Sequence, residues 1–314
     1  MKRAPRRPPA PGWRWAVLAP AVLILALGLR SVLAQKTAQH VVLEPLAQPL
    51  PHGARPGELA AATAIKADAQ GGLLTLSRVE RVWRVQRFDA ALALRDRVDL
   101  PVAVVGELSD LAAMPDGTVW LCGEGGFLWR LDARLYPGRR PAPVRSGLDG
   151  LVYLECLGAR GLAGLDCRDG VFARLDEHGR VLRQHPLAEA GRARGLVCLP
   201  EGAAWLEFDG GAVWVRVIDA EGGTLRRFMV QDMAPAPGDR LAASGSVLII
   251  NDQAGPSGLV FYTAQGKPLG QSLGGGTYSV ANPGFVAGDP AGGVAYVHFN
   301  QGLLKFHLPW PEEL

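Results

Sequence analysis

Apolar, β-branched and aromatic residues recur along the chain in short runs, and each run follows a turn rich in glycine, proline or acidic residues. One glycine in each turn marks the spacing; these are Gly72, Gly117, Gly161, Gly202, Gly245 and Gly293. Neighbouring members of this series lie 45, 44, 41, 43 and 48 residues apart. Short apolar runs bounded by turns predict strands, and a period of about 40 to 50 residues is typical of a four-stranded repeat unit.

The units can be divided into strands. In the second unit we predict strands at 109–115, 118–122 and 127–132, and a fourth near 141–145. The third strands of the other units are predicted at 82–88, 171–176, 213–219, 259–263 and 303–308. The predicted fold class is therefore all-β, a six-bladed β-propeller of four-stranded antiparallel blades occupying residues 58–314.

A second column supports the repeat. Three residues after each glycine of the series stand Thr75, Trp120, Gly164, Trp205, Leu248 and Tyr296. Most of these side chains are bulky, and we expect them to pack between neighbouring blades.

The sixth unit predicts how the ring closes. Only residues 309–314 follow its third strand, which is too short a segment for a fourth. Residues 40–46 contain the β-branched pair Val41 and Val42 and are otherwise unassigned. We therefore expect 40–46 to complete the sixth blade, within a closing strand and connector at 35–57, because this removes a free strand edge.

The first 34 residues form a targeting or anchoring segment. A basic leader (1–15) precedes a predicted signal-anchor or transmembrane helix (16–34), and no acidic residue occurs in either. A helix over 13–34 is about 33 Å long and spans a bilayer core of about 30 Å. The anchoring residues would be Trp13 and Trp15 at the interface and Leu23, Leu25 and Leu27 in the apolar stretch.

This segment predicts the location of the rest of the chain. The basic end stays in the cytoplasm, so the propeller would lie in the periplasm of a bacterium, held at the inner membrane by a single pass. The alternative is cleavage near Ala34, which ends a small-residue pattern of the signal-peptidase type and would release the domain into the periplasm.

Charge excludes one class of partner. The whole chain has a net charge of +3, but its first 34 residues contain six basic side chains, so the remainder carries −3. A slightly acidic domain lacks the basic surface that nucleic acid requires. No nucleic-acid partner is expected.

The spacing, the turn chemistry and the terminal strand exchange resemble those of six-bladed β-propellers, broadly similar to the NHL-repeat and gluconolactonase-like groups. The resemblance covers residues 40–310 and is architectural. The sequence contains no Trp-Asp blade ending, no Kelch glycine pair and no tryptophan-docking signature of quinoprotein dehydrogenases. A shared fold does not transfer an activity.

Polar residues in the turns between second and third strands raise the question of a metal. In gluconolactonase-like hydrolases a metal activates water or polarises an ester carbonyl, and the resemblance implies such a site at the channel mouth. The candidate ligands for Ca²⁺ or another divalent cation are Glu124, Asp166, Asp209, Asn251 and Asn300. The other interpretation is that turns select Asp, Asn and Gly for their geometry, with no cofactor bound.

The four cysteines allow two interpretations. Their even number in an oxidising compartment permits disulfides, and the most local pair is Cys156 with Cys167. Alternatively they are small buried side chains on crowded strands. No pair has CxxC spacing, so neither a redox nor a zinc motif is indicated.

Two functions from different classes follow. The first is a membrane-anchored periplasmic propeller that is not catalytic and serves as an interaction scaffold or accessory subunit, with a protein partner or membrane complex. The alternative is a Ca- or Zn-dependent lactonase-like hydrolase or carbohydrate-binding propeller with its site at the channel mouth and Asp166 as base. No set of polar residues in the sequence points to catalysis more strongly than to ordinary turn formation, and this favours the scaffold.

Overall fold

The structure is a computed structural model of the full chain. It describes residues 43, 46, 50–60, 62–68, 71–138, 142–158, 161–187, 193–231, 233–236, 240–252, 258–272, 285–299 and 302–310. The chain divides into two compact units, 1–39 and 40–314. The predicted anchor, with Trp13, Trp15, Leu23, Leu25 and Leu27, lies outside the described residues, and within the described part no helix is long and apolar enough to cross a membrane.

The second unit is a six-bladed β-propeller, as predicted. Blade 1 consists of β1 (Ala62–Ala67), β2 (Leu73–Val79), β3 (Val82–Phe88) and β4 (Leu94–Pro101). Blade 2 consists of β5 (Leu108–Ala113), β6 (Val119–Gly123), β7 (Phe127–Leu131) and β8 (Val144–Arg145). Blade 3 consists of β9 (Leu151–Cys156), β10 (Leu162–Asp166), β11 (Val171–Leu175) and β12 (Val181–Pro186).

The remaining blades repeat this pattern. Blade 4 consists of β13 (Ala193–Leu199), β14 (Gly202–Asp209), β15 (Ala212–Asp219) and β16 (Thr224–Met229). Blade 5 consists of β17 (Arg240–Ser244), β18 (Val247–Asp252), β19 (Gly258–Thr263) and β20 (Pro268–Ser272). Blade 6 has β21 (Phe285–Gly288), β22 (Val294–Phe299) and β23 (Gly302–His307). Strands pair antiparallel in sequence order within each blade.

This meander gives the ring two distinct faces. The turns between second and third strands and the links to the next blade lie on one face, here called the upper face. The turns between first and second strands and between third and fourth strands lie on the opposite, lower face. A single helical turn, α1 (Val102–Val105), links blades 1 and 2 on the upper face, and a 3₁₀ turn (Glu124–Gly126) connects β6 to β7 there.

The N-terminal segment pairs with the last strand of blade 6, and this pairing continues past the strand predicted at 40–46. Leu50 bridges to Leu303 of β23 through two backbone hydrogen bonds, of 2.8 and 3.0 Å. The N–H of Leu46 donates to the carbonyl of Lys305 at 2.8 Å. The pairing therefore extends beyond the predicted 40–46 into the predicted connector. Leu50, which is only 5% exposed, lies in the apolar junction between blades 6 and 1.

The glycine series occupies equivalent places in all six blades, since each member lies between a first and a second strand or begins the second. The column three residues later is buried throughout the described blades, except that Gly164 offers no side chain there. Where a Cβ would stand at Gly164, Leu151 approaches to 2.7 Å, so a neighbouring leucine fills the space. The predicted packing position is therefore confirmed.

Among the described residues, six apolar clusters form the core, one at each junction between neighbouring blades. Trp120 lies between blades 2 and 3, and Trp205 between blades 3 and 4, where its ring stacks 6.0 Å from that of Phe172. Tyr296 lies between blades 6 and 1 and donates its hydroxyl to the carbonyl of Gly71 at 2.8 Å. Each blade is thus stabilised by its neighbours rather than by a core of its own.

An aspartate at the end of the third strand fixes the next turn in blades 1 to 4. One carboxylate oxygen accepts two backbone N–H groups at 2.8 to 3.0 Å, those two and four residues later. The four residues are Asp89, Asp132, Asp176 and Asp219. In blade 5 the hydroxyl of Thr263 accepts the N–H of Lys267 at 3.1 Å.

The third residue after this aspartate, or after Thr263, contacts the preceding blade. In blades 3 to 5 it is a glycine with positive φ, and a Cβ added at Gly179, Gly222 or Gly266 would meet a side chain of that blade within 2.9 Å. In blades 1 and 2 it is a buried leucine, Leu92 or Leu135, which adopts positive φ and packs into the junction itself. The residue is a glycine where a side chain of the preceding blade occupies the junction, and a leucine where the junction has room for its side chain.

We predict that Asp176→Ala lowers the free energy of unfolding by about 1 kcal/mol, because two backbone N–H groups lose their protein acceptor and only water replaces it. Urea denaturation of the full chain measures the change. Asp176→Asn keeps an acceptor oxygen and should lose less. Glu177→Ala, an exposed change in the same turn, is the matched control, and an equal effect from it would contradict this role for Asp176.

Candidate functional site

The first strands of the six blades line a central channel that contains two cavities. The lower cavity, of about 340 Å³, is bordered by the C-terminal ends of these strands, and the upper cavity, of about 320 Å³, by their N-terminal ends. Both are lined by Ile65, Lys66, Leu241 and Val286. These four residues therefore mark the level at which the two cavities adjoin.

A buried ionic cluster lies at this level and joins the first strands of four blades. Lys66 Nζ lies 2.7 Å from Glu155 Oε2 and 3.5 Å from Asp110 Oδ2. It also donates to the carbonyl oxygen of Leu196 at 3.5 Å. We call Lys66, Asp110 and Glu155 the channel triad; they come from β1, β5 and β9.

Backbone donors hold the two carboxylates. Asp110 accepts the N–H of Leu154 at 3.0 Å and that of Leu111 at 2.9 Å. Glu155 accepts the N–H of Cys156 at 3.1 Å. Because Leu154 belongs to blade 3, Asp110 ties blade 2 to its neighbour as well as binding Lys66.

Burial and mutual attraction both change the pKa values of the triad. It raises the pKa of both Asp110 and Glu155, although Lys66 acts in the opposite direction. Burial alone would lower the pKa of Lys66, but the two carboxylates together raise it above its ordinary value. Lys66 therefore stays charged, and two carboxylates share one cation, so one of them binds a proton more readily than an exposed carboxylate does.

Sequence reasoning missed this cluster, although a signal for it exists. Lys66 and Glu155 each precede a glycine of the series by six residues, and Asp110 precedes its glycine by seven. Aligning the repeats on their glycines would have placed the three charged residues in almost the same column. Their opposite charges on the inner strands would then have indicated an ion pair in the channel.

Two of the predicted ligand residues serve the fold. Asp166 is fully buried and its carboxylate accepts three backbone N–H groups, from Gly150, Arg168 and Asp169, at 2.8 to 3.0 Å. Asn251 is also fully buried, and its side-chain oxygen accepts the N–H of Arg240. Both side chains hold strand ends and turns in place.

The other candidates are differently placed. Asp209 pairs with Arg227 of the outer strand β16 at 3.1 Å, next to a Glu207 that binds both Arg216 and Arg227. Glu124 is exposed in the 3₁₀ turn of blade 2. Asn300 lies outside the described residues. Within the described ranges, no group of three or more His, Cys, Asp or Glu side chains is arranged to hold a metal ion.

The register separates the cysteines that were predicted to pair. Cys156 lies opposite Leu162 at the lower end of the β9–β10 hairpin, whereas Cys167 follows Asp166 at its upper end. Five residues of strand separate these ends by about 16 Å, and a disulfide requires Cα atoms within about 7 Å. The Cys156–Cys167 disulfide is therefore not formed, and both cysteines are free thiols. Burial raises the pKa of both thiols to about 11.

No protein-family model matches the sequence, and no curated protein matches it. Solved structures do. A streptogramin B lyase aligns with a TM-score of 0.55 and 13% identity, covering 85% of this chain and 97% of that chain. The PQQ-bound form of aldose sugar dehydrogenase from Streptomyces coelicolor aligns with a TM-score of 0.55 and 15% identity, covering 86% and 99%. At these identities the likeness shows the propeller fold alone.

We predict that Lys66→Met lowers the free energy of unfolding by about 3 to 5 kcal/mol, because it leaves two buried carboxylates without their cation. The loss should be larger at pH 8 than at pH 5. A carboxyl group with a raised folded pKa favours the folded state when protonated, and that contribution is lost as the pH rises through the folded pKa.

Chemical denaturation at the two pH values measures this difference. Lys267→Met, on the exposed turn before β20, is the matched control for removing one lysine charge. A Lys66→Met variant as stable as the control at pH 8 would contradict the assigned role of the triad.

Proposed function

We propose that this chain is a membrane-anchored β-propeller of the bacterial periplasm, and that it serves as a non-catalytic scaffold for a protein partner in an assembly at the inner membrane. The observation that carries the proposal is a pair of exposed apolar side chains on adjoining segments of the upper face, where blades 1 and 2 meet. Of the predicted metal ligands, Asp166 and Asn251 accept backbone N–H groups and Asp209 pairs with Arg227.

The patch is formed by two large apolar side chains. Val104 of α1 is 53% exposed, and Phe127 at the start of β7 is 39% exposed. The segments that carry them adjoin, since the N–H of Glu124 donates to the carbonyl of Glu107 at 2.9 Å. We call Val104 and Phe127 the blade 1–2 patch.

The local backbone keeps these side chains at the surface. Gly125 has φ +74, and a Cβ at that position would stand 3.4 Å from the ring of Phe127, so the ring rests on the turn. In α1, Val105 is buried among the blade 1–2 core residues, which leaves Val104 on the outer side of the same helical turn. The exposure thus follows from how the core residues are placed.

Charged groups surround the patch. Arg78 and Glu107 form an ion pair in which both side chains are about half exposed, and Glu124 is exposed beside them. An exposed apolar surface with a polar rim is typical of a protein-binding site. A ring stabilised at six junctions presents such a patch on a rigid support.

The N-terminal segment suits an anchored scaffold. It pairs with β23 at Leu46 and Leu50, so the chain enters the ring through its closing strand. Only eight residues, 35–42, separate the predicted anchor from Leu43, and the nine steps from residue 34 to Leu43 reach about 30 Å when fully extended. An uncleaved anchor would therefore keep the propeller close to the bilayer and to partners within it.

Site-specific photocrosslinking tests the proposal in living cells. A photoreactive phenylalanine analogue at position 127 should give one defined protein adduct in the membrane fraction, and Val104→Glu should abolish it by placing a charge in the patch. The same analogue at Leu182, an exposed apolar residue of the outer strand β12, is the control and should give no such adduct. Identical adducts from both positions, or none from position 127, would overturn the scaffold role.

A further inference from the structure

The lower cavity of the channel has apolar walls, and the scaffold role makes no use of them. Its volume of about 340 Å³ lies within the range of small-molecule sites. Leu157, Val197 and Leu199 are among the residues that line it. Among the described lining residues no side chain is aromatic, and Lys66 and Glu155 are the only basic and acidic ones. The described wall is therefore largely aliphatic, with one polar end.

Small residues near the ends of the first strands leave this space open. Ala67 of β1, Ala243 of β17 and Gly288 of β21 all line the cavity. Ala67 and Ala243 lie next to core clusters and are still partly exposed, so core side chains do not fill the space beside them. Gly288 has no room for a side chain, because a Cβ there would collide with the backbone carbonyl of Ala243. The cavity therefore follows from the residues chosen for the strands that form it.

The cavity extends to the lower face of the ring. Its lining includes Pro115, Pro200 and Pro290, which lie in the turns between the first and second strands of blades 2, 4 and 6. A proline ring fixes the backbone φ and presents only carbon atoms. The rim is therefore stiff and apolar, and a ligand that enters needs to order little of the protein.

The polar end of the cavity carries no unpaired charge. Lys66 Nζ lies 2.7 Å from Glu155 Oε2 and also pairs with Asp110. A charged ligand would therefore be buried without a counter-charge, which is costly. A carboxylate has about four acceptor positions, and Glu155 uses two of them, for Lys66 and for the N–H of Cys156. An uncharged hydroxyl group can donate to a remaining position.

We propose that the lower cavity binds a compact, uncharged aliphatic molecule that carries one hydroxyl group. The hydroxyl group donates to Glu155, and the aliphatic body packs against Leu157, Val197 and Leu199. Water in a cavity of this kind has few polar partners on the walls, so its displacement by an apolar group favours binding. The site is at the opposite end of the channel from the blade 1–2 patch, and the inference does not rest on the scaffold role.

Calorimetric titration of the full chain in mild detergent with 1-adamantanol, a compact aliphatic alcohol, tests the site. We expect saturable one-to-one binding with a dissociation constant below about 1 mM. Adamantane-1-carboxylate and 1-adamantylammonium have the same body with a charge of either sign, and each should bind at least about tenfold more weakly. The polar molecule myo-inositol should not bind.

Two results would overturn this proposal. One is the absence of saturable binding of 1-adamantanol, and the other is binding of either charged analogue as tight as that of the alcohol.

Two variants locate the binding, and both are titrated in the same detergent because the alcohol also enters micelles. Ala67→Phe and Ala243→Phe each place a ring in the cavity, from different blades, and each should weaken the binding of 1-adamantanol at least about tenfold. Ala90→Phe, on the exposed turn after β3, is the matched control and should bind as the unmodified chain does. Unchanged binding in either folded cavity variant would contradict the site, and each variant keeps the test decisive if the other does not fold.

The outcome can be separated from that of the scaffold proposal. Binding of 1-adamantanol without a crosslinked adduct at position 127 would support the ligand site alone. An adduct without binding of 1-adamantanol would overturn the ligand site alone.

Discussion

The junction between blade 6 and blade 1 is the constraint on which the ring depends, because there the two distant ends of the propeller must meet. In the part of the chain that the structure describes, blade 6 has three strands of its own, and the N-terminal segment binds its outer edge through Leu46 and Leu50. Tyr296 crosses the same junction and binds the backbone of Gly71. Each of the other junctions joins blades consecutive in sequence, so this contact turns a row of repeats into a closed ring.

Many polar side chains of the ring form hydrogen bonds or ion pairs that hold its turns and strands in place. Aspartates tie the turns after the third strands, Asp166 and Asn251 hold backbone at strand ends, and the channel triad binds the first strands of neighbouring blades. Many of the acidic residues that suggested metal chemistry in the sequence therefore have structural roles. The exposed apolar side chains of Val104 and Phe127 have no such structural role, and the proposed scaffold function rests on them.

Local periodicity made the fold predictable. Each glycine of the series marks a turn that is fixed by neighbouring residues alone. Asp132, Asp176 and Asp219 likewise mark the turns that follow the third strands. Most strands could therefore be located from local sequence signals. The pairing of Leu50 was harder to predict, because its partner Leu303 lies more than 200 positions away in the sequence. Leu50 lies in a proline-rich segment that gives no strand pattern of its own.

The site was less predictable than the fold for a related reason. Lys66 and Glu155 are 89 residues apart, and their contact arises from the curvature of the ring rather than from any local motif. The turn residues Glu124 and Asp209 looked alike in sequence, yet one is exposed and the other is bound to an arginine of its own blade. Residue type and spacing in the sequence identified the turns correctly. Which side chains contact one another depends on how the blades pack.

We propose that Asp166, Asp209 and Asn251, at the turns, hold the ring together rather than a metal ion. Calorimetric titration of the full chain with Ca²⁺ and with Zn²⁺ tests it most directly. The account predicts no stoichiometric binding of either ion in the micromolar range. Tight one-to-one binding that disappears in Asp209→Ala would contradict it and would restore a metal-dependent function at the channel mouth.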